Sequence, residues 1–306
     1  MYLARLTQLE TGLSTFSQAG KSLPGISTDA ARHTLAMQLV ESERKIDRVK
    51  RLAKREPSIE RYSPASDNFD PELAAIHFAI SGDTDEASWL TFLSVHFGRH
   101  KDDGWDLCKQ IYGGLGPTPM WTWARIKENL AKFEPWLAEV LTSRNSPLGR
   151  FGNHRKYESL RGQQGTAAIF GSYVNWVVKA GGHPELFAAA SNEANGNPRA
   201  AFGILYKQMD AVLRFGRLGK FDYLTMISKL GIAPIDADST YLANATGPKR
   251  GAKLLFSGST TAAAQSRDLE EQVAKLGNHL NVGMQAMEDA ICNWQKSPKK
   301  FIAFRG

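Results

Sequence analysis

Two carboxylates, a thiol and an amine share one short segment near the end of the chain, Glu288-Asp289-Ala290-Ile291-Cys292-Asn293-Trp294-Gln295-Lys296. On a helix, Glu288, Cys292 and Lys296 fall on one face at successive turns. Met284, Met287, Ile291 and Trp294 form an apolar set that buries the opposite side. A carboxylate on a half-buried helix has a tunable proton affinity, which suits acid–base work or the stabilisation of a developing cation. The competing reading is a surface Glu–Lys ladder. A Schiff base at Lys296 is not expected, because nothing in its sequence surroundings desolvates it.

A second segment, Phe151-Gly152-Asn153-His154-Arg155-Lys156-Tyr157-Glu158-Ser159-Leu160, packs an amide, an imidazole, two cations, a phenol and a carboxylate into a few positions. That inventory suits a phosphate, a sugar hydroxyl or a base edge. His154 is a candidate for proton transfer. Gly149 and Gly162 flank the segment and free it to approach a ligand. The bland alternative is a polar loop closed by its own hydrogen bonds. The opening Phe-Gly pair recurs in Phe97-Gly98-Arg99-His100 and Phe215-Gly216-Arg217-Leu218. Each is expected to turn the chain at a helix end with a buried Phe. Their recurrence beside basic residues suggests a shared basic cleft.

The third feature is Ala245-Thr246-Gly247-Pro248-Lys249-Arg250-Gly251-Ala252-Lys253-Leu254-Leu255-Phe256. It reads as a tight basic turn that launches a helix near Gly251. Gly247 and Gly251 would permit unusual φ values, and Pro248 has no N–H to lose. A helix N-terminus beside Lys249, Arg250 and Lys253 would grip a phosphate. The competing reading is a plain helix–helix connection with solvated cations.

Other chemistry is not expected. His96 and His100 have the spacing of a metal pair, but Gly98 lies between them and no H-E-x-x-H pattern is present. No phosphate-binding glycine loop of the G-x-x-x-x-G-K-[ST] type and no G-x-S-x-G elbow occur. The sequence therefore calls for no metal and no cofactor.

The elements that position these residues read as helices almost throughout, and the expected fold class is all-α. A long amphipathic helix spans 29–56, and Pro57, Pro64 and Pro71 bracket a polar linker after it. Helices are expected near 71–80, 84–97, 103–113, 122–131, 133–143, 166–180, 184–190, 198–214 and 220–230. Others follow near 238–245, 251–257, 267–279 and 283–295. Asp83, three residues before Glu86, resembles a capping box. The expected division is an N-terminal helical segment with linker, 1–69, and a main helical domain, 70–306.

The balance of 38 Lys+Arg against 31 Asp+Glu gives a formal charge of +7, which favours a polyanionic partner. Only Cys108 and Cys292 occur, far apart, as suits a reducing, cytoplasmic compartment. No apolar run is long enough to span a bilayer, and the first residues lack the apolar core of a secretion signal. No heptad run demands a dimer, so a monomer is expected.

Taken together, Phe97-Gly98, Asp103-Gly104-Trp105, Ile111 to Gly116, Phe151 to Leu160, Phe221-Asp222-Tyr223-Leu224, Ala245 to Phe256 and Glu288 to Pro298 resemble one group of bacterial and phage proteins. It is the alpha-glutamyl/putrescinyl thymine pyrophosphorylase family, and the similarity covers about residues 70–306. The resemblance implies a helix-hairpin-helix DNA-glycosylase-like fold and action on hypermodified bases in phage DNA. The wider group includes proteins that excise glucosylated hydroxymethylcytosine as an anti-phage defence. Residues 245–252 would be the hairpin, with Ala245 standing where a first Gly is usual. The interval from there to Glu288-Asp289 is longer than the usual hairpin-to-Asp interval.

On this reading the partner is double-stranded DNA carrying modified bases. Base excision requires the base to leave the stack while the protein holds the phosphates. Gly247, Lys249, Arg250, Gly251, Lys253, Arg217, Lys220, Arg155 and Lys156 are the expected DNA contacts. Asn153, His154, Tyr157, Trp105 and Trp176 are the expected base pocket. Asp289 or Glu288 would stabilise the oxocarbenium-like state and deprotonate water. A thymine-modifying enzyme and a non-catalytic reader of modified DNA are the alternatives.

Overall fold

The computed structural model describes residues 2–18, 20, 23–116, 119–144 and 148–304, without the side chains of Gln18 and Asn153. Its helices are α1 (Tyr2–Gln18), α2 (Asp29–Leu52), α3 (Ile59–Tyr62), α4 (Pro71–Ile80), α5 (Thr84–Phe97), α6 (Asp106–Tyr112) and α7 (Trp123–Ser143). They continue with α8 (Thr166–Ala180), α9 (His183–Glu193), α10 (Pro198–Gln208), α11 (Arg217–Lys229), α12 (Gly247–Ser257), α13 (Ser266–Leu280) and α14 (Met284–Trp294). Among the described residues β pairing is confined to one isolated bridge, His100 with Gly104. The fold is all-α.

Side-chain chemistry sets several boundaries. Asp70 caps α4 by accepting from the backbone N–H of Glu72 at 3.0 Å, and Pro71 fills the first turn, where no N–H is needed. Asp83 caps α5 through Glu86 N, as its spacing predicts. The reciprocal half of a capping box is not made. Glu86 turns inward and accepts from Tyr112 Oη at 2.8 Å and Trp123 N at 2.7 Å. The break expected near 132 is instead a kink at Asn129 (φ −123°, ψ 26°) within one helix that also carries Pro135. The helix expected over 238–245 does not form. That stretch is irregular, with left-handed backbone at Tyr241 and Asn244, and Glu270 Oε1 accepts from the N–H groups of Leu242 and Ala243.

The chain forms two compact units, residues Met1–Val49 with Asp236–Gly306, and Lys50–Ile235. This differs from a division at residue 69. The first residues pack with the last ones, because α1 and α13 bury Leu9, Leu13, Val273 and Leu276. The C-terminal strap is fixed to α2, where Gln38 Nε2 donates to Ile302 O and Lys45 Nζ to Phe304 O.

The second unit is built on aromatic packing around α5 and α8. Phe92 stacks on Tyr173 at 3.7 Å and on Phe215 at 4.8 Å, and Trp89 meets Phe170 edge-on at 4.9 Å. A polar chain threads this core. Asp85 accepts from His183 Nδ1 at 2.6 Å, His183 Nε2 meets Tyr173 Oη at 2.7 Å, and Tyr173 Oη meets Tyr223 Oη at 2.9 Å. Buried polar groups linked in this way fix the rotations of α5, α8, α9 and α11 relative to one another. No helix is long and apolar enough to cross a membrane among the described residues.

Candidate functional site

In the first unit, Gly247 to Gly251 is not a turn before a helix. It is the first turn of α12 itself, with Pro248 near the start. Neither glycine has positive φ. Their role is close approach. A Cβ on Gly251 would lie 2.2 Å from the Ile291 carbonyl oxygen, and one on Gly247 would lie 2.6 Å from Cys292 Sγ. The two glycines thus let α12 rest directly on α14, and the opposite edge of the turn faces outward. Arg250 is exposed there and Lys249 and Lys253 are half-exposed. None of the three makes an ion pair among the described residues.

Asp289, by contrast, is well served. Ser42 Oγ donates to its Oδ2 at 2.6 Å, Asn293 Nδ2 donates to Oδ1 at 2.8 Å, and Lys45 Nζ stands 3.6 Å away. This carboxylate ties α14 to α2. Glu288 is half-buried beside it. Lys296 lies beyond the end of α14, donates to Asn293 Oδ1 and sits over the Phe304 ring, so no ladder of Glu288, Cys292 and Lys296 runs along one helix. The apolar set Met284, Met287, Ile291 and Trp294 is buried.

In the second unit the Phe-Gly segments converge. Gly98 ends α5 with φ 65°, and Gly152 N donates to Phe97 O at 2.8 Å. A Cβ on Gly152 would come within 2.7 Å of the Gly98 backbone, so only glycine fits. Phe97 stacks on Phe151 at 5.7 Å. Gly216 caps the start of α11, and Phe215 receives the Arg155 guanidinium at 5.9 Å. Arg155 is thereby locked, its Nε donating to Val95 O at 2.7 Å and its Nη2 reaching Asp222 Oδ2 at 3.3 Å.

Asp222 and Glu72, like Glu86, are carboxylates of this unit whose proton affinity is raised. Burial raises the proton affinity of Asp222, while Arg155, Lys229, Arg217 and His154 pull it down. Yet 42% of its side chain is accessible. Glu72, in the first turn of α4, is pushed up to about 7 by burial and by the charge of Asp70, against the pull of Lys229 and Arg99. Of the arginines that follow the Phe-Gly pairs, Arg155 contacts Asp222, Arg217 adds to the pull on Asp222, and Arg99 to that on Glu72.

Other expected site residues are scattered by comparison. Lys220 is 8% exposed, pairs with Asp210 at 2.5 Å and lies over Tyr206, so its charge is committed inside the unit. Arg155 is likewise committed, with 11% of its side chain exposed. Arg217 lies over the Phe221 ring. Lys156 is exposed over the Tyr157 ring, and Tyr157 itself is 80% exposed. His154 is exposed, Trp176 packs edge-on to Tyr173, and the indole N–H of Trp105 is buried without a hydrogen-bond partner among the described residues. The Asn153 side chain lies outside the described residues. No ring contact or hydrogen bond joins Trp105, His154, Tyr157 and Trp176 to one another. His96 and His100 do not converge either. His96 is buried against Thr166 Oγ1, whereas His100 Nδ1 accepts from the Asp102 and Asp103 N–H groups.

Residues 30–306 match the family described as alpha-glutamyl/putrescinyl thymine pyrophosphorylase clade 3. The chain belongs to this family. No curated protein and no solved structure matches it. Clade 3 membership spans parts of both compact units, including α12, α14 and the Phe-Gly turns. Within this clade 3 chain, sequence reasoning missed the raised proton affinities of Glu72 and Asp222. Arg99 and Asp222 do lie in segments that stood out, and the Phe-Gly recurrence was the available signal.

Proposed function

We propose that the chain is a DNA glycosylase that excises a hypermodified pyrimidine, such as glucosylated hydroxymethylcytosine, from phage DNA as an anti-phage defence. The observation that carries this reading is the first turn of α12. It holds Lys249 and Arg250 at a helix N-terminus with Lys253 one turn further on, none of them with an acidic partner among the described residues, on a helix seated on α14 by Gly247 and Gly251. Such a turn suits the grip on phosphates that sequence-independent DNA binding requires. The positive balance of the chain and its family membership support the same reading. Removal of the base leaves an abasic site and spares normal DNA.

A second reading follows from the family description. The chain would then alter a thymine-derived base that stays attached to DNA. Purified protein incubated with unmodified, hydroxymethylated and glucosylated phage DNA separates the two. Base excision liberates a free base, identified by mass, together with countable abasic sites. Alteration leaves the base attached but changed in mass. A protein that only reads modified DNA binds with strong salt dependence and releases nothing. Release of no base from any of the DNAs refutes the glycosylase reading.

A further inference from the structure

We propose that Tyr157 is an outward-facing stacking platform for an unstacked base of DNA, with Lys156 beside it for the adjoining phosphate. The proposal rests on DNA binding by this chain and is independent of base release. Among the described residues Tyr157 is the most exposed large apolar or aromatic side chain, at 80% against 73% for Leu3 and 66% for Ile59. It therefore lines no enclosed base pocket. An open ring is a ready surface for a base taken out of the stack, because every base has a π face.

The ring stands on a fixed support. Arg214 Nη2 donates to Tyr157 O at 3.2 Å, and its Nε donates to Glu158 Oε2 at 2.9 Å. Arg214 makes these bonds from left-handed backbone, φ 57°, a conformation that a residue with a Cβ adopts rarely. Glu158 N donates to Arg155 O at 2.8 Å, and Arg155 is itself tied to Val95 O of α5. On the far side Thr166 N donates to Ser159 O at 2.9 Å, which holds the segment to the start of α8. A platform ordered before its ligand arrives loses little entropy on binding. Its charge suits a polyanion. Lys156 is exposed with its Nζ 5.0 Å from the Tyr157 ring centroid. Neither Lys156 nor the exposed Arg161 makes an ion pair among the described residues. Glu158, the one carboxylate between Phe151 and Gly162, is committed to Arg214, with 13% of its side chain accessible. An apolar ring among uncommitted cations matches the bases and phosphates of an opened strand.

The test is fluorescence anisotropy of the full chain with a labelled thymidine single strand of about 15 nucleotides and with a duplex of the same length, for the wild type, Tyr157→Ala, Tyr157→Phe and Lys156→Gln. Tyr157→Ala is expected to weaken single-strand binding by about 5- to 100-fold, the usual worth of one stacked base, while Tyr157→Phe binds like the wild type. Tyr157→Ala should leave the slope of log K against log salt unchanged, since a stacking ring releases no counterion. Lys156→Gln should lower that slope by about 0.7. Thermal midpoints should match that of the wild type, because both side chains are exposed. Wild-type affinity in Tyr157→Ala is what cations alone would give, and it overturns the platform. So does a Tyr157→Phe that falls as far as the alanine form, which assigns the contact to the hydroxyl. Base release from modified phage DNA, scored alongside, keeps the two readings apart. Release together with unaltered single-strand binding in Tyr157→Ala overturns the platform alone. Single-strand binding that needs the ring, without any release, supports the platform and overturns base excision. A wild type that binds neither DNA overturns both.

Discussion

Asp289 on α14 and Asp222 on α11 are both carboxylates on helices, and both were within sight of the sequence motifs. They differ in what surrounds them. Asp289 receives two short hydrogen bonds, from Ser42 and Asn293, that pin α14 to α2. Asp222 receives one long contact, is accessible, and yet is desolvated enough to hold protons more tightly than a free aspartate. The first arrangement satisfies a charge and so spends it on packing. The second leaves a charge partly unsatisfied, which is the condition for reactivity. The same contrast holds between glycines. Gly251 joins two helices, whereas Gly152 seats a loop that carries Arg155.

The sharpest way to break this contrast is at the helix contact. Gly251→Val should destabilise the chain by about 3 kcal/mol or more, because backbone of α14 at 2.2 Å cannot yield as a side chain can. Gly247→Ala meets only the Cys292 thiol, so its cost should be about 1 kcal/mol at most once helix propensity offsets part of it. Urea midpoints measure both. Equal effects would mean that the two glycines do not play these different roles.

Acid–base behaviour comes next in size. Buried His96 stays neutral down to about 3, whereas the unfolded chain takes up that proton near 6.5. Stability should therefore fall as pH drops below about 6.5, by about 1.4 kcal/mol per unit from this residue. Glu86 works in the opposite direction. Its folded carboxyl holds a proton up to about 7 against 4.5 unfolded, so stability falls as pH rises between those values. Denaturation across this range should show a flatter acid limb in His96→Gln and a flatter neutral limb in Glu86→Gln. Unchanged limbs would show that these side chains are not held as the burial implies.

Asp289→Ala should cost about 1–2 kcal/mol through the lost bonds to Ser42 and Asn293. It should leave base release intact if the second unit holds the chemistry. The smallest effects concern α12. Lys249→Ala and Arg250→Ala should each weaken DNA binding and lower the slope of log K against log salt by about 1, without altering stability. A salt slope that does not change would remove α12 from the DNA-binding surface.

Much of the helical layout was legible because apolar spacing and caps act over a few residues. Asp70-Pro71 and Asp83 open their helices for local reasons, and the buried face of α14 follows from Met284, Met287, Ile291 and Trp294. The segment 238–245 was misread as helix because its backbone partner, Glu270, comes from far along the chain. The start of α12 was misplaced by one turn, since glycines suggest bends and these ones serve contact. Lys220 looked like a surface cation until Asp210 and Tyr206 enclosed it.

The sequence by itself determined an all-helical chain, a positive balance, a family resemblance and a recurring Phe-Gly-Arg theme. Those properties are set by composition and by neighbours a few residues apart. Only the tertiary structure decided which carboxylates are satisfied and which are poised. Desolvation and Coulomb partners come from residues remote in sequence, as when the charges of Arg99 and Lys229 act on Glu72, and Arg155 contacts Asp222. No local pattern encodes such a meeting, because it exists only once the helices have packed.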